Sequence, residues 1–347
     1  MMRICVGVLA AALTSGVALA NDGYAGLSSG GLEFGKTNDV EMKSEDLFLS
    51  PTSVRVKYVF KNTSQEDVEA IVAFPMPPLS PGERKGEAAS APEIQESSDL
   101  NLMRFKVTVN GETVNPDREI KMYLRQGDDW AWGWDLLKKP KVDVTERLLK
   151  LEVPETFDSD VIMAWYNKLP KATQESLAKD QLFADIYGYG SLLPTYVIST
   201  NYFWTQNFPA GREITVEHEY RPIRGGSVFY LNDELKKNYC IDEATEKAIN
   251  AAQAKADSGP KNEFGFSVNY IGLSFLDYIL TTANTWSGPI GTFRLTLDKG
   301  SEQNLTSLCM DGIKKSGPRT FAIEKTNFSP KEDIRIVFFE KEAQGQP

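Results

Sequence analysis

Val54-Arg55-Val56-Lys57-Tyr58-Val59-Phe60 alternates apolar and charged side chains. Residues 54, 56, 58 and 60 share one apolar face, and Arg55 and Lys57 face the other way. That is the pattern of a half-buried strand in an antiparallel sheet. Asn62-Thr63-Ser64 begins a polar turn, after which Val68, Ala70, Val72 and Phe74 repeat the period until Pro75. The spacing predicts a hairpin of two strands around a short polar loop. Working outward, the same period recurs at Phe105, Val107 and Val109, followed by Asn110-Gly111, a pair that tolerates the positive φ of a tight turn. It returns at Leu149, Leu151 and Val153, and at Ile214, Val216, His218 and Tyr220. Three later runs show it as well: Phe264 to Tyr270, Phe293 to Leu297, and Ile334 to Phe338.

Two stretches depart from this period. Val161, Ile162, Trp165 and Leu169 are spaced as on a helix, Pro170 breaks it, and a second helical run passes through Leu177 and Leu182. They form a helical insertion at about residues 155–187. Asp242 is placed to cap a polar, Ala-rich helix from Glu243 to Ala256, ended by Ser258-Gly259-Pro260. Pro77 to Ser98, rich in Pro, Ser, Gly and charge, reads as a loop. No internal repeat is found. The expected fold is mainly β, as two β-sandwich-like domains. The first covers residues 21–228 and carries the insertion, and the second covers residues 229–347 and is opened by a short helix.

The first twenty residues read as a secretory signal. Arg3 supplies the positive start, Ile4 to Leu13 the apolar stretch, and Ala18-Leu19-Ala20 a small-x-small cleavage site. A membrane anchor would need a longer apolar run than one interrupted by Thr14, Ser15 and Gly16. Cys5 goes with the signal. The mature chain, from Asn21 to Pro347, is expected in the periplasm, with no transmembrane segment. The net charge is −10, or −11 once Arg3 is removed, and it is spread along the chain. That balance disfavours nucleic acid and anionic lipid.

Few residues offer chemistry. Cys240 and Cys309 survive processing, and in an oxidising compartment such a pair forms a disulfide. Two free buried thiols are the alternative, and two thiols with one histidine do not complete a zinc site. His218 is the single histidine, and its parity puts it on the apolar face of a strand with Ile214 and Val216. Any Ser-His-Asp or Cys-His mechanism would have to pass through it, and no nucleophile elbow accompanies it. No catalytic residue, cofactor or metal site is assigned.

The most unusual segment is Trp130-Ala131-Trp132-Gly133-Trp134, bracketed by Asp128, Asp129 and Asp135. Extended, it would set three indoles on one face, roughly 6.5–7 Å apart. Two readings stand. The indoles plug a sandwich core, or they form an exposed surface that stacks on sugar rings or packs on a partner. Three Asn-x-Ser/Thr sequons, at Asn62, Asn304 and Asn327, are expected to be accidental matches if the exporting cell is bacterial.

Four segments resemble a known family. Asn21-Asp22-Gly23-Tyr24-Ala25-Gly26-Leu27, Met42-Lys43-Ser44-Glu45-Asp46-Leu47, Ala73-Phe74-Pro75-Met76-Pro77 and Trp286-Ser287-Gly288-Pro289-Ile290-Gly291-Thr292-Phe293-Arg294-Leu295 are similar to the bacterial family catalogued as domain of unknown function 4424. The resemblance implies an exported protein of Gram-negative bacteria and brings no activity with it. In the first half, Tyr58 to Asn62, Ala73 to Pro77 and Phe105 to Gly111 also look like the β-sandwich of vault and inter-alpha-trypsin-inhibitor proteins. That likeness implies a scaffolding or interaction domain.

The reading is a non-catalytic periplasmic binding or accessory protein, with an envelope protein or a glycan as partner. Its rivals are a cell-wall or glycan hydrolase using carboxylates near the Trp cluster, and a subunit of an envelope assembly. Mass spectrometry of the protein from an envelope fraction is expected to find Asn21 as its first residue. A full-length product in the cytoplasm would refute the export reading.

Overall fold

The computed structural model describes residues 23–28, 31–76, 78–81, 103–124, 142–185, 188, 190–222, 224–261 and 267–343. In chain order the first strands are β1 (Gly23–Ser28), β2 (Gly31–Phe34), β3 (Val40–Leu49), β4 (Val54–Asn62), β5 (Val68–Pro75), β6 (Lys106–Val109), β7 (Glu112–Val114), β8 (Asp117–Leu124) and β9 (Val142–Asp143). Helices α1 (Thr145–Lys150), α2 (Ser159–Tyr166) and α3 (Lys171–Lys179) follow. Then come β10 (Phe183–Ala184), β11 (Leu193–Pro194), β12 (Val197–Phe208), β13 (Glu213–Tyr220) and β14 (Gly225–Val228). Helices α4 (Asp233–Asn238) and α5 (Glu243–Asp257) lead to β15 (Asn269–Tyr278), β16 (Ile290–Asp298), β17 (Leu305–Leu308), β18 (Lys314–Lys315), β19 (Thr320–Phe328) and β20 (Ile334–Ala343).

The fold is mainly β. An eight-stranded sheet runs in the order β18-β19-β16-β3-β4-β13-β6-β7, a six-stranded sheet in the order β2-β1-β5-β12-β8-β9, and a four-stranded sheet in the order β14-β15-β20-β17. Strands from both sides of residue 228 share the large sheet. One continuous core joins the three sheets: Val56, Tyr58, Val216 and Leu295 come from the large sheet, Val72, Phe74 and Trp204 from the six-stranded one, and Leu276, Ile336 and Phe338 from the four-stranded one. The period of two seen at Val54 to Phe60 thus reports the inner face of the large sheet.

Helices close what the sheets leave open. On β12, Ile198 shares a face with Tyr202 and Trp204. Ile198 packs with Met122 of β8 under Leu148, Ile162, Tyr166 and Leu177 of α1, α2 and α3. On β15 and β20, Ile271, Leu273, Val337 and Phe339 point away from the main core and pack under Leu235, Ile249 and Ala256 of α4 and α5. Asp242 caps α5 as expected, accepting from the Thr245 amide at 2.7 Å. Among the described residues no helix is long and apolar enough to cross a membrane.

Two sequence expectations fail. The strands at 54–62 and 68–75 do not form a hairpin. β4 pairs with β3 and β13, whereas β5 pairs with β1 and β12 in the other sheet. The chain crosses the sandwich at Asn62, which is fully buried and donates to the carbonyls of Glu66 and Phe208 at 2.8 and 2.7 Å. Alternation reveals which face a strand buries but not which strand it pairs with. Leu149, Leu151 and Val153 do not form a strand either. Asp143 accepts from the Thr145 amide at 2.8 Å in a turn that precedes α1, and the helix turns Leu148 inward. The tight turn at Asn110-Gly111 is present, with φ of 50° and 84°.

The large sheet depends on a bulge. In the pairing of β3 with β4 the register shifts between Met42 and Ser44. The inward positions therefore change from Val40 and Met42 to Glu45, Leu47 and Leu49. Opposite the bulge lies Gly291, where an added Cβ would stand 2.5 Å from the Lys43 carbonyl oxygen. Backbone cannot yield there as a flexible side chain would. Gly291→Ala is therefore expected to cost about 1–3 kcal/mol, measured by denaturant unfolding. An unchanged midpoint would show that the strand pair adjusts freely.

Candidate functional site

The single histidine lies inside the sandwich. β13 places His218 opposite Val56 and Val107, and only 2 % of the residue is exposed. Tyr58, Phe74, Phe105 and Trp204 stand edge-on around the imidazole, with ring centroids 5.6, 5.1, 5.0 and 5.7 Å away. Burial pushes the imidazole down to about 3, so it is neutral at pH 7. It sits on the apolar face that its parity indicated.

A second buried group was not anticipated. Glu45, turned inward by the bulge, is fully buried and accepts from the Tyr278 hydroxyl at 3.2 Å. Tyr58 and Tyr278 hydroxyls lie 3.0 Å apart. The hydrogen-bonded set Tyr58, Tyr278 and Glu45 ties the large sheet to the four-stranded sheet across the core. Burial holds the Tyr278 and Tyr220 hydroxyls protonated far above the ordinary tyrosine range. In water such groups exchange protons; sealed here, they fix one sheet against another.

The outer face of the large sheet is charged. Glu324, Arg294, Asp46, Lys57 and Glu217 stand side by side on β19, β16, β3, β4 and β13. Arg294 reaches Glu324 at 2.8 Å and Asp46 at 3.1 Å, and Lys57 reaches Glu217 at 2.9 Å. In the next row Arg55 lies over the Phe48 ring at 4.2 Å. The face is solvated and neutralises its own charge.

Cys240 and Cys309 are joined, with Cα atoms 5.1 Å apart. At a sequence separation of 69, the bond stabilises the fold by roughly 4 kcal/mol on the chain-entropy account. Trp130, Trp132, Trp134, Asp128, Asp129 and Asp135 lie outside the described residues. Among the described residues no three His, Cys, Asp or Glu side chains gather as metal ligands. Two sequon asparagines are buried: Asn62, and Asn304, whose amide donates to the Lys299 carbonyl at 3.0 Å.

The sequence model of the family described as Domain of unknown function (DUF4424) matches residues 20–337. The chain belongs to the DUF4424 family. The four segments that carry the likeness meet in this DUF4424 protein. Gly23 pairs with Ala73, the Tyr24 ring lies 6.4 Å from Trp286, the Ser287 amide donates to Val40, and Gly291 backs the Lys43 bulge. No curated protein matches the chain. Among solved structures, a protein of Legionella pneumophila described as a candidate nutrient binding protein is 14% identical, with a TM-score of 0.39. The match covers 88% of this chain and 68% of that one. An M1 zinc metallopeptidase from Deinococcus radiodurans is 8% identical with a TM-score of 0.25, over 88% of this chain and 43% of that one. The chain spans less than half of that metallopeptidase. At these values neither likeness says anything of fold or activity here.

The His218 cage has a pH consequence. An imidazole held down at about 3 in the folded protein, against an ordinary value of 6.5, stabilises the fold fully above pH 6.5. This contribution fades as pH falls from 6.5 toward 3, where the unfolded chain takes up the proton first. Melting temperature is expected to drop over that window, and His218→Gln, though less stable at pH 7, is expected to show a shallower drop. Equal slopes in both proteins would disprove the assignment.

Proposed function

We propose that this protein is an exported, periplasmic binding or accessory protein that carries out no chemistry of its own. One observation carries the reading: the single histidine is sealed among four aromatic rings and held neutral, out of reach of any substrate. The Cys240–Cys309 bond supports the location, because such bonds persist in oxidising compartments.

The partner in this proposal is an envelope protein or a glycan, recognised by Trp130, Trp132 and Trp134 with Asp128 and Asp129 beside them. The support is chemical. Three indoles in five residues offer large amphipathic rings that stack on sugars or fill pockets of a partner, and each brings an N–H to satisfy. Pull-down from cells after mild crosslinking identifies the partner, and Trp132→Ala tests the site. Capture is expected to fail in the variant while its melting temperature stays near that of the parent. A loss of about 3–5 kcal/mol of stability would instead show that the indole is part of a core. Capture undiminished in a stable variant would remove the cluster from the proposal.

A further inference from the structure

The disulfide fastens a particular layer. Cys240 lies just past α4 and its C-cap Tyr239, at the corner where the chain turns into α5, and Cys309 directly follows β17, an edge strand of the four-stranded sheet. Beneath this corner lies the small core in which α4 and α5 cover Ile271, Leu273, Val337 and Phe339. At the corner itself the Ser307 hydroxyl on β17 donates to the carbonyls of Tyr239 and Cys240 at 2.8 and 3.3 Å. At the far end of α5, the Ser267 hydroxyl donates to the Ala256 carbonyl at 2.6 Å. Between these two fastenings the layer rests on apolar packing.

Two features set the bond apart from a core staple. Cys240 is exposed, so a small thiol reaches it without unfolding. Its backbone has φ of +51°, the left-handed region in which an L side chain is strained. The position itself has a reason, since the Ile241 amide donates back to Lys236 and closes the end of α4. Glycine would satisfy that turn at no cost, yet a cysteine stands there and makes the bond. An exposed disulfide is open to attack by a thiol.

We propose that the Cys240–Cys309 bond is a redox latch on the helical cover of the four-stranded sheet. A dithiol reductant opens it in two steps. Its thiolate attacks one sulfur, breaking the S–S bond and forming a mixed disulfide. Its second thiol then displaces that cysteine. Two electrons pass to the protein, both cysteines leave as thiols, and the reductant leaves as a cyclic disulfide. The α4–α5 corner then loses its covalent tie and keeps the Ser307 hydrogen bonds, the contact of Cys309 Sγ with the Asn238 carbonyl at 3.6 Å and its packing. The layer swings from β17 and uncovers the apolar strip of Ile271, Leu273, Val337 and Phe339. The proposal is independent of the Trp cluster and of the partner's identity.

The test uses the whole oxidised protein and dithiothreitol, without denaturant. Alkylation and mass spectrometry are expected to find both cysteines reduced. Amide exchange is expected to become roughly tenfold faster or more in residues 233–257 and 305–308, while β3 and β4 keep their protection. Binding of an apolar dye such as anilinonaphthalene sulfonate is expected to rise in step. The double variant Cys240→Ser with Cys309→Ser is expected to show the open pattern without reductant. Cysteines that stay bonded under these conditions would overturn the latch. So would reduction with no change in exchange, or reduction that strips protection from β3 and β4 as well.

Discussion

The rest of the structure depends on the parallel pairing of β3 with β16. Through it, Thr292 to Leu297 lie beside Ser44 to Leu49, and strands from the two ends of the chain become neighbours in one sheet. Roughly 240 residues separate these strands. Between them the chain supplies four more strands of this same sheet, strands of the smaller sheets and, among the described residues, helices α1 to α5. Closing so long a loop is costly in entropy. The contact must be reinforced, and the surroundings supply the reinforcement: the Lys43 bulge seated on Gly291, the Val40 carbonyl bound by Ser287, and Trp286 packed among Tyr24, Phe60 and Phe208.

Alternation at Val54 to Phe60, Ile214 to Tyr220 and Phe293 to Leu297 identified strands and their buried faces, because a period of two follows from backbone geometry alone. Pairing was not legible. Asn62 redirects the chain into the other sheet through hydrogen bonds with residues near and far in sequence, and no local pattern announces the distant partner. Leu149 to Val153 was misread because three apolar residues at every second position also occur where a helix ends in a turn. There Asp143 and Thr145 carried the usable signal, a turn in which the aspartate accepts from the amide two residues on, just ahead of the run.

For the polar interior, His218 could be placed from parity because β13 is regular. Glu45 could not. It lies at an odd position in a strand that begins with Val40 and Met42 inward, and the bulge at Lys43 reverses the parity before it is reached. Gly291, the residue that makes room for the bulge, lies about 250 residues downstream. The disulfide was readable for the opposite reason. Once Cys5 is set aside, two cysteines allow a single intramolecular pairing.

The burial of Asn62 bears on how the protein is best made. Its amide nitrogen donates to two carbonyls inside the fold, and its oxygen accepts from the Ser64 amide at 2.8 Å. In a bacterial host the following Thr63 and Ser64 are inert spelling. In a eukaryotic secretory host, oligosaccharide is added to Asn-x-Ser/Thr on chains that have not yet folded. A sugar placed on Asn62 at that moment would occupy the bend where the chain passes between sheets, and the sandwich could not close over it. Yeast, insect or mammalian secretion would therefore divide the product into an unmodified fraction that folds and a glycosylated fraction that does not.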